Sequence, residues 1–334
     1  VSFADQKLGV EKASNDGRSS DDSLDYSVII PAYQGLNTIG DCLVSVLQAL
    51  KGRLAEVVVV ESSGDGTAEL IRREFPDVRV LAQAERSSAG KARNQIAEAA
   101  GGKTLFFVDQ DCVVPENWID LLVEHLGEPG VGAVGGSVGI RNLNNLSGCG
   151  VYFLEFLYHF PSRRAPERNS NFLLGCKLAC RASVFEAVRF PARTLAEDVL
   201  FSHAVRVAGW DTVYDPRVQV RHWNRQGWGE FFRYNGRMGR SAAQCQRKLQ
   251  TSFSKPVLRF PLLVFLTPLW VLPKIALGLL SQWQYLLCFL MLLPACLAGN
   301  WCWCMAFYRE LVRPSVDDDQ MSDEPVSSCS SECL

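Results

Sequence analysis

Through the first third of the chain, short apolar runs alternate with longer segments whose apolar residues fall on one helical face. "YSVIIPAY" (26–33), "EVVVV" (56–60), "VRVLAQ" (78–83) and "TLFFVD" (104–109) are too short for helices and read as buried strands. "TIGDCLVSVLQAL" (38–50) carries apolar residues at 39, 43, 46, 47 and 50, the spacing of a helical stripe. "AELIRREF" (68–75) and "GKARNQIAEAA" (90–100) read as further helices, the second closed by Gly101-Gly102 as a C-cap. Strands alternating with helices of this length predict an α/β domain: a Rossmann-like, mostly parallel sheet with helices on both faces. In such sheets ligands gather at the carboxyl ends of the strands. Pro31-Ala32-Tyr33, Glu61 and the pair Asp109/Asp111 all fall there.

The pattern changes near the C-terminus. Between Phe260 and Tyr308 the only charged residue is Lys274. Two apolar helices are expected, at about 260–280 and 286–307, joined by the polar "SQWQ" (281–284). Each is close to the ~20 residues that cross a bilayer. The segment 256–308 therefore reads as a membrane-associated hairpin, the alternative being a helical hairpin buried in a soluble protein. Basic residues flank it on both sides, including Arg247, Lys248, Lys255 and Arg259 before it and Arg309 and Arg313 after it. The positive-inside rule then puts both flanks, and the domain at 26–250, in the cytoplasm. Residues 1–25 and 314–334 are polar and acidic, read as disordered, and the first of them contains no secretory apolar core.

Charge and cysteine usage narrow the chemistry. A formal net charge of -2 over 334 residues gives no bias towards polyanions, and no nucleic-acid partner is expected. The twelve cysteines form no CxxC pair, which disfavours a structural zinc site and fits a reducing compartment. The first strand-to-helix connection, "PAYQGLNT", has one glycine, so neither a dinucleotide fingerprint nor a phosphate-binding P-loop is present. What remains is Asp109-Gln110-Asp111 at a strand end. Two carboxylates this close repel, and a hard divalent ion such as Mg²⁺ or Mn²⁺ relieves the clash while gripping a diphosphate. The plainer reading is a solvated turn capping the next helix. "LAEDVLFSHAVRVAGW" (195–210) offers Glu197-Asp198 at the start of an amphipathic helix, where acids are also ordinary dipole complements. "RHWNRQGWGEFFRYNGRMGR" (221–240) interleaves arginines with aromatics and, beside an apolar hairpin, reads as a membrane-surface helix.

Four ordered stretches, "VIIPAYQGLNTIGDCLVSVLQA", "EVVVVESSGDGTAELI", "AGKARNQIAEAAGGKTLFFVDQD" and "AEDVLFSHAVRVAGW", together resemble family 2 glycosyltransferases of the GT-A fold, over about Tyr26 to Arg240. The resemblance implies a metal-dependent, inverting transfer of a sugar from a nucleoside-diphosphate sugar to a hydroxyl on a lipid-linked or saccharide acceptor at a membrane. It implies that Pro31, Ala32 and Tyr33 line the base pocket, with Glu61 contacting the base and Asp65 closing that turn. The family commonly has two acids followed by Gly-Ser-Thr there; this chain has Glu61-Ser62-Ser63. Lys91 and Arg93 fall where the family approaches phosphate or ribose, Asp109 where it meets the ribose or a metal-bound water, and Asp111 where it binds the metal. Asp198 takes the place of the base, with Glu197 orienting it, and His222 the place of a residue facing metal or diphosphate. Gly175 and Lys177, in "NSNFLLGCKLACRASVFEAV" (169–188), fall in the sugar pocket, and Arg237 and Arg240 are candidates to neutralise the departing diphosphate. Transfer onto a polyprenyl phosphate is a second enzymatic reading. A nucleotide-sugar-binding membrane scaffold is the non-enzymatic one.

Overall fold

The computed structural model describes residues 24–162, 164–192, 196–249 and 254–314. The expected disorder of both termini falls almost wholly on residues outside that set.

The elements run in the order β1 (Tyr26–Ala32), α1 (Ile39–Ala49), β2 (Ala55–Glu61), α2 (Thr67–Glu74), β3 (Arg79–Ala82), α3 (Ala89–Ala99) and β4 (Thr104–Val108). Then come β5 (Cys112–Val113), α4 (Trp118–Leu126), β6 (Val131–Ile140), α5 (Leu146–Glu155), β7 (Glu167–Arg168), β8 (Lys177–Arg181), α6 (Ala182–Ala187), α7 (Glu197–Val207) and β9 (Asp211–His222). The helices α8 (Trp228–Leu249), α9 (Ser254–Arg259), α10 (Pro268–Gly278), α11 (Trp283–Met291) and α12 (Leu293–Val312) follow, with a 3-10 helix, Pro261–Leu266, before α10. Every strand and helix expected up to residue 109 is present to within two residues.

The sheet order is β3-β2-β1-β4-β8-β6-β9-β5, with β7 on the flank of β9. The half built from β1 to β4 is wholly parallel, as the alternating pattern requires. The other half is mixed: β8 runs antiparallel to both β4 and β6, while β6 and β9 are parallel. That reversal has a consequence for chemistry. The amino end of β8, Lys177, pairs with Val108 at the carboxyl end of β4, so the residues before β8 reach the same rim as Asp109.

One side of the sheet packs under α1, α2, α4 and α5, with Val28, Phe106 and Val108 fully buried there. The other side packs under α3, α6 and α7, around Ile29, Phe107 and Phe201. Strand residues alternate between these two cores, which is why the runs are apolar at every position rather than at every second one. Full burial of each such side chain contributes about 1.5–3 kcal/mol.

Among the described residues, one segment is long and apolar enough to cross a membrane, Pro261–Gly278, or up to two if α11 and α12 count together across their 72° bend. The expected hairpin is broken twice: into 3-10 and α in its first arm, where Pro261, Pro268 and Pro273 fall, and by the bend in its second. Both arms lean on the α/β domain. Ile275, Leu279 and Phe289 join the core beneath α5, and Val264 packs with Ala243 of α8 and Cys304 and Phe307 of α12. Lys274 does not face open solvent alone: its ammonium sits 3.8 Å from the centre of the Tyr158 ring.

Candidate active site

Parallel pairing of β1 with β2 aligns Pro31 with Val60 and Ala32 with Glu61, so two strand ends meet at one edge. Tyr33, half-buried, lies just beyond, with the Arg86 guanidinium 4.3 Å from its ring centre. The Gln110 carboxamide clamps this turn: the Tyr33 N–H donates to Gln110 Oε1 at 3.1 Å and Gln110 Nε2 donates to the Tyr33 carbonyl at 2.8 Å. The middle residue of the Asp-Gln-Asp triplet thus ties β4 to β1. Sequence reasoning passed over it because an amide between two acids carries no pattern of its own. Glu61 is buried and accepts from Ser63 N–H at 2.6 Å, from the Ser63 hydroxyl and from Gly64 N–H at 3.4 Å. The altered turn is therefore wrapped around its own acid. Asp65 accepts from Ser63 Oγ and Thr67 N–H; burial opposes its ionisation slightly, and the Thr67 and Ser63 bonds hold the carboxyl below its ordinary value.

The centre of the site is Arg93. Its side chain is 2 % exposed and bridges two carboxylates, Nη2 to Asp109 Oδ1 at 2.6 Å and Nη1 to Glu197 Oε1 at 2.8 Å. A buried arginine needs two anionic partners of this kind to repay its lost hydration. The bridge joins the end of β4 to the start of α7, segments 88 residues apart in sequence counting from Asp109 to Glu197. Gly175 makes the approach possible, because a Cβ there would lie 2.7 Å from the Arg93 guanidinium carbon. Its N–H donates to Asp198 Oδ2 at 3.3 Å, while Val199 N–H donates to Asp198 Oδ1 at 2.8 Å. Burial, reinforced by the neighbouring Glu197 charge and opposed by Arg93, raises the Asp198 carboxyl from 3.8 to about 7. The helix N-terminus alone would hold it low; here desolvation outweighs that effect. Arg93, which the resemblance set towards phosphate or ribose, is committed to the two acids. Lys91 lies exposed on α3, its N–H capped by Ser88 Oγ.

Asp111 stands two residues past Asp109, with its Oδ1 3.3 Å from His222 Nε2. The other ring nitrogen, Nδ1, lies 3.0 Å from Asn224 Oδ1, an acceptor that holds the ring with Nε2 towards Asp111, and the protonated ring donates from Nε2 to that carboxylate. Burial disfavours the charged imidazole, but Asp111 and Glu155 outweigh it and raise the His222 value. Burial and the Asp109 charge raise the Asp111 carboxyl, with His222 opposing. Among the described residues, Asp111, Cys112 and His222 are the group whose donor atoms lie close enough, within 4.8 Å of one another, to share an ion.

Lys177 is fully buried, and among the described residues its Nζ has no hydrogen-bond partner. Burial lowers its value, against the pull of the neighbouring Cys176, Asp198, Cys112 and Asp109. Arg237 pairs with Glu230 on its own helix, and Arg240 lies 3.7 Å from Glu310 of α12. The guanidinium whose charge acts on Asp111 is instead that of Arg225, stacked 4.3 Å over Tyr234, whose hydroxyl donates to Glu155 at 2.5 Å. The sequence placed Arg225 in a membrane-facing run. Its position three residues after His222 was the available clue.

Comparison with known proteins bears on the family and the fold. The profile described as "Glycosyl transferase family 2" matches residues 27–189. Glycosyltransferase AglE of Haloferax volcanii is 33% identical over 117 residues, 34% of this chain and 38% of that protein. An N-acetylglucosaminyltransferase of Bradyrhizobium elkanii is 30% identical over 125 residues, 35% of this chain and 68% of that protein. The chain thus spans well under half the length of the first of these relatives. Among solved structures, the mannosyltransferase PcManGT of Pyrobaculum calidifontis, in complex with GDP-Man and Mn²⁺, shares the fold with a TM-score of 0.57 at 21% identity, covering 87% of each chain. Matched in its motifs and in a relative aligned over most of its length, this chain belongs to glycosyl transferase family 2.

Proposed function

We propose that the chain transfers one sugar, with inversion, from a nucleoside-diphosphate sugar to the hydroxyl of a lipid-linked or membrane-proximal saccharide acceptor. The observation that carries this reading is the Arg93 bridge. It fixes the acid at the donor end of the crevice, Asp109, to the helix that bears a second carboxylate poised near neutral pH, Asp198. Inverting transfer needs a single carboxylate to take the acceptor proton, and none to form a glycosyl-enzyme. Asp198 Oδ2, which among the described residues accepts the long bond from Gly175 N–H, is the atom that accepts it. Glu197 orients Asp198 and is itself oriented by Arg93. Pro31, Ala32, Tyr33 and Glu61 form the wall for the base, and Gly175 and Lys177 the wall for the sugar. Arg225 offers charge to the departing diphosphate, with Arg237 and Arg240 further along α8.

The donor set suits a divalent ion: the Asp111 carboxylate beside an imidazole nitrogen whose partner nitrogen is held by Asn224. Asp111 and His222 would hold Mg²⁺ or Mn²⁺, with Asp109 beside them. Bound there, the ion neutralises charge on the leaving diphosphate. The apolar segment 256–308 attaches the enzyme to a membrane, and the basic residues at its two ends favour a cytoplasmic catalytic domain.

Calorimetric titration with a panel of nucleotide sugars, with and without Mn²⁺, tests the reading on wild type and Asp111→Ala. The expected result is binding of one donor that requires the ion and is lost in the variant. Folded wild-type protein that binds no donor would overturn it.

A further inference from the structure

We propose that Cys112 is a third protein ligand of this metal site, and that the site consequently prefers thiophilic ions, Zn²⁺, Cd²⁺ and Co²⁺, over Mg²⁺. The inference rests on the reading that Asp111 and His222 hold a metal. It concerns a residue that the Asp-Gln-Asp motif does not include.

Strand register brings the three residues together. β5 pairs antiparallel with β9 so that Cys112 stands directly opposite His222 and Val113 opposite Arg221. Residues opposite one another in such a ladder project from the same face, with Cβ atoms about 4.5–5.5 Å apart. The ladder extends one step further, because Trp223 N–H donates to the Asp111 carbonyl at 2.9 Å. Backbone pairing therefore holds all three residues, not side-chain packing alone.

The donor atoms follow from that frame. Asp111 Oδ1 lies 3.3 Å from His222 Nε2 and 4.0 Å from Cys112 Sγ. An ion bonded at about 2.0–2.2 Å to oxygen and nitrogen and about 2.3 Å to sulfur spaces neighbouring donors by roughly 3.3–3.8 Å in a tetrahedral shell. The two separations from Asp111 Oδ1 are within a few tenths of an ångström of that, and all three donor atoms lie within 4.8 Å of one another. Cys112 is fully buried and His222 nearly so, whereas the Asp111 side chain is 24% exposed. Sulfur and imidazole thus form the floor of the site, and its remaining positions open towards the crevice where the diphosphate binds.

Carboxylate with imidazole tolerates hard and borderline ions, while a thiolate strongly favours the softer ones. Ligation breaks the S–H bond of Cys112 and forms a metal–sulfur bond. The proton passes to the buffer, and nothing is oxidised or reduced.

The test is a Co²⁺ titration of the full chain followed by absorbance, beside calorimetric affinities for Zn²⁺, Cd²⁺, Mn²⁺ and Mg²⁺. Wild type, Cys112→Ser, Cys176→Ser and Asp111→Ala are compared, with thermal unfolding as the check of folding. The expected result is a near-ultraviolet thiolate-to-cobalt charge-transfer band in wild type and Cys176→Ser. That band is absent in Cys112→Ser and in Asp111→Ala. Affinity for Cd²⁺ and Zn²⁺ falls about tenfold or more in Cys112→Ser, within the range seen when a site loses a supporting group, while Mg²⁺ affinity stays within about threefold. Cobalt that binds and depends on Asp111 but gives no charge-transfer band would overturn the role of Cys112 and leave the Asp111–His222 site standing. A band lost in Cys176→Ser instead would move the ligand to that neighbour and overturn the assignment. No Asp111-dependent binding of any ion would sink the metal reading itself, and this inference with it.

Discussion

Asp198 carries the sharpest expectation at the scale of single residues. Its carboxyl is raised from 3.8 to about 7, with burial as the main cause. A general base works only when ionised, so kcat/KM should climb about tenfold per pH unit below that value and level off above it. In Asp198→Asn, kcat falls by about a hundred- to ten-thousand-fold, the range for general-base catalysis, with donor affinity unchanged. A polyprenyl phosphate acceptor, already ionised, would instead leave most of the activity and flatten the acid limb. Stability carries the same signature with a defined sign. Between 3.8 and about 7 the folded chain binds more protons at Asp198 than the unfolded one, so this group's contribution to stability declines as pH rises through that window. Denaturant midpoints at pH 5 and pH 8 should therefore converge in Asp198→Asn relative to wild type. Midpoints that shift with pH equally in both proteins would show that Asp198 ionises normally.

At the scale of elements, the parallel half of the sheet was legible and the mixed half was not. β1 to β4 announce themselves because strands buried on both faces must be apolar throughout, and helices with one exposed face must be striped. β6, "VGAVGGSVGI", is equally buried at every position but rich in glycine, a residue that weakens strands elsewhere. Its glycines answer contacts that only the folded chain supplies: a Cβ on Gly136 would lie 1.9 Å from the Val218 carbonyl, at the bulge where the pairing with β9 shifts. The antiparallel insertion of β8 was hidden for a similar reason, since direction is a property of connections rather than of composition. The same limit applies at the site. Asp109, Asp111, Glu197 and Asp198 could be named from motif order, but the Arg93 bridge between them could not. The parallel half also predicts where stability lies. Phe106 is fully buried, with its ring 5.5 Å from that of Tyr26 and 5.4 Å from that of Trp118. Phe106→Ala leaves a cavity in that stack and should cost about 3–5 kcal/mol, read as a lower urea midpoint at unchanged slope. A loss below about 1 kcal/mol would mean that α4 collapses onto the strand.

On the scale of the whole molecule, apolar exposure is concentrated in one region. Leu262, Leu269, Leu277 and Met291 are between 66% and 74% exposed, and only 22% of the Pro261–Gly278 segment is buried. A soluble monomer seldom leaves so many large side chains in water within one stretch of sequence. Two polar groups of this region are turned inward, Thr267 Oγ1 lying 3.5 Å from Asn300 Oδ1 with both residues buried, and Gln282 Nε2 donates to the Pro161 carbonyl at 2.8 Å. The outward surface is mainly hydrocarbon, broken by the exposed Lys274, Ser281 and Gln284 and bordered by the exposed Lys255 and Arg259 at one end and Arg313 at the other. Such a surface suits acyl chains beneath anionic headgroups. Flotation with phospholipid vesicles should therefore recover the wild-type chain, with added salt weakening but not abolishing the association. The pair Leu269→Asp and Met291→Asp puts two carboxylates on that surface. At up to about 2.5–3.5 kcal/mol for each charge carried to bilayer depth, the bound fraction should fall by about two orders of magnitude. Transfer to a soluble acceptor should survive, because neither residue contributes to the crevice. Undiminished flotation of the variant would show that lipid does not cover this surface. Loss of transfer to a soluble acceptor in a folded variant would tie these helices to the chemistry rather than to the bilayer.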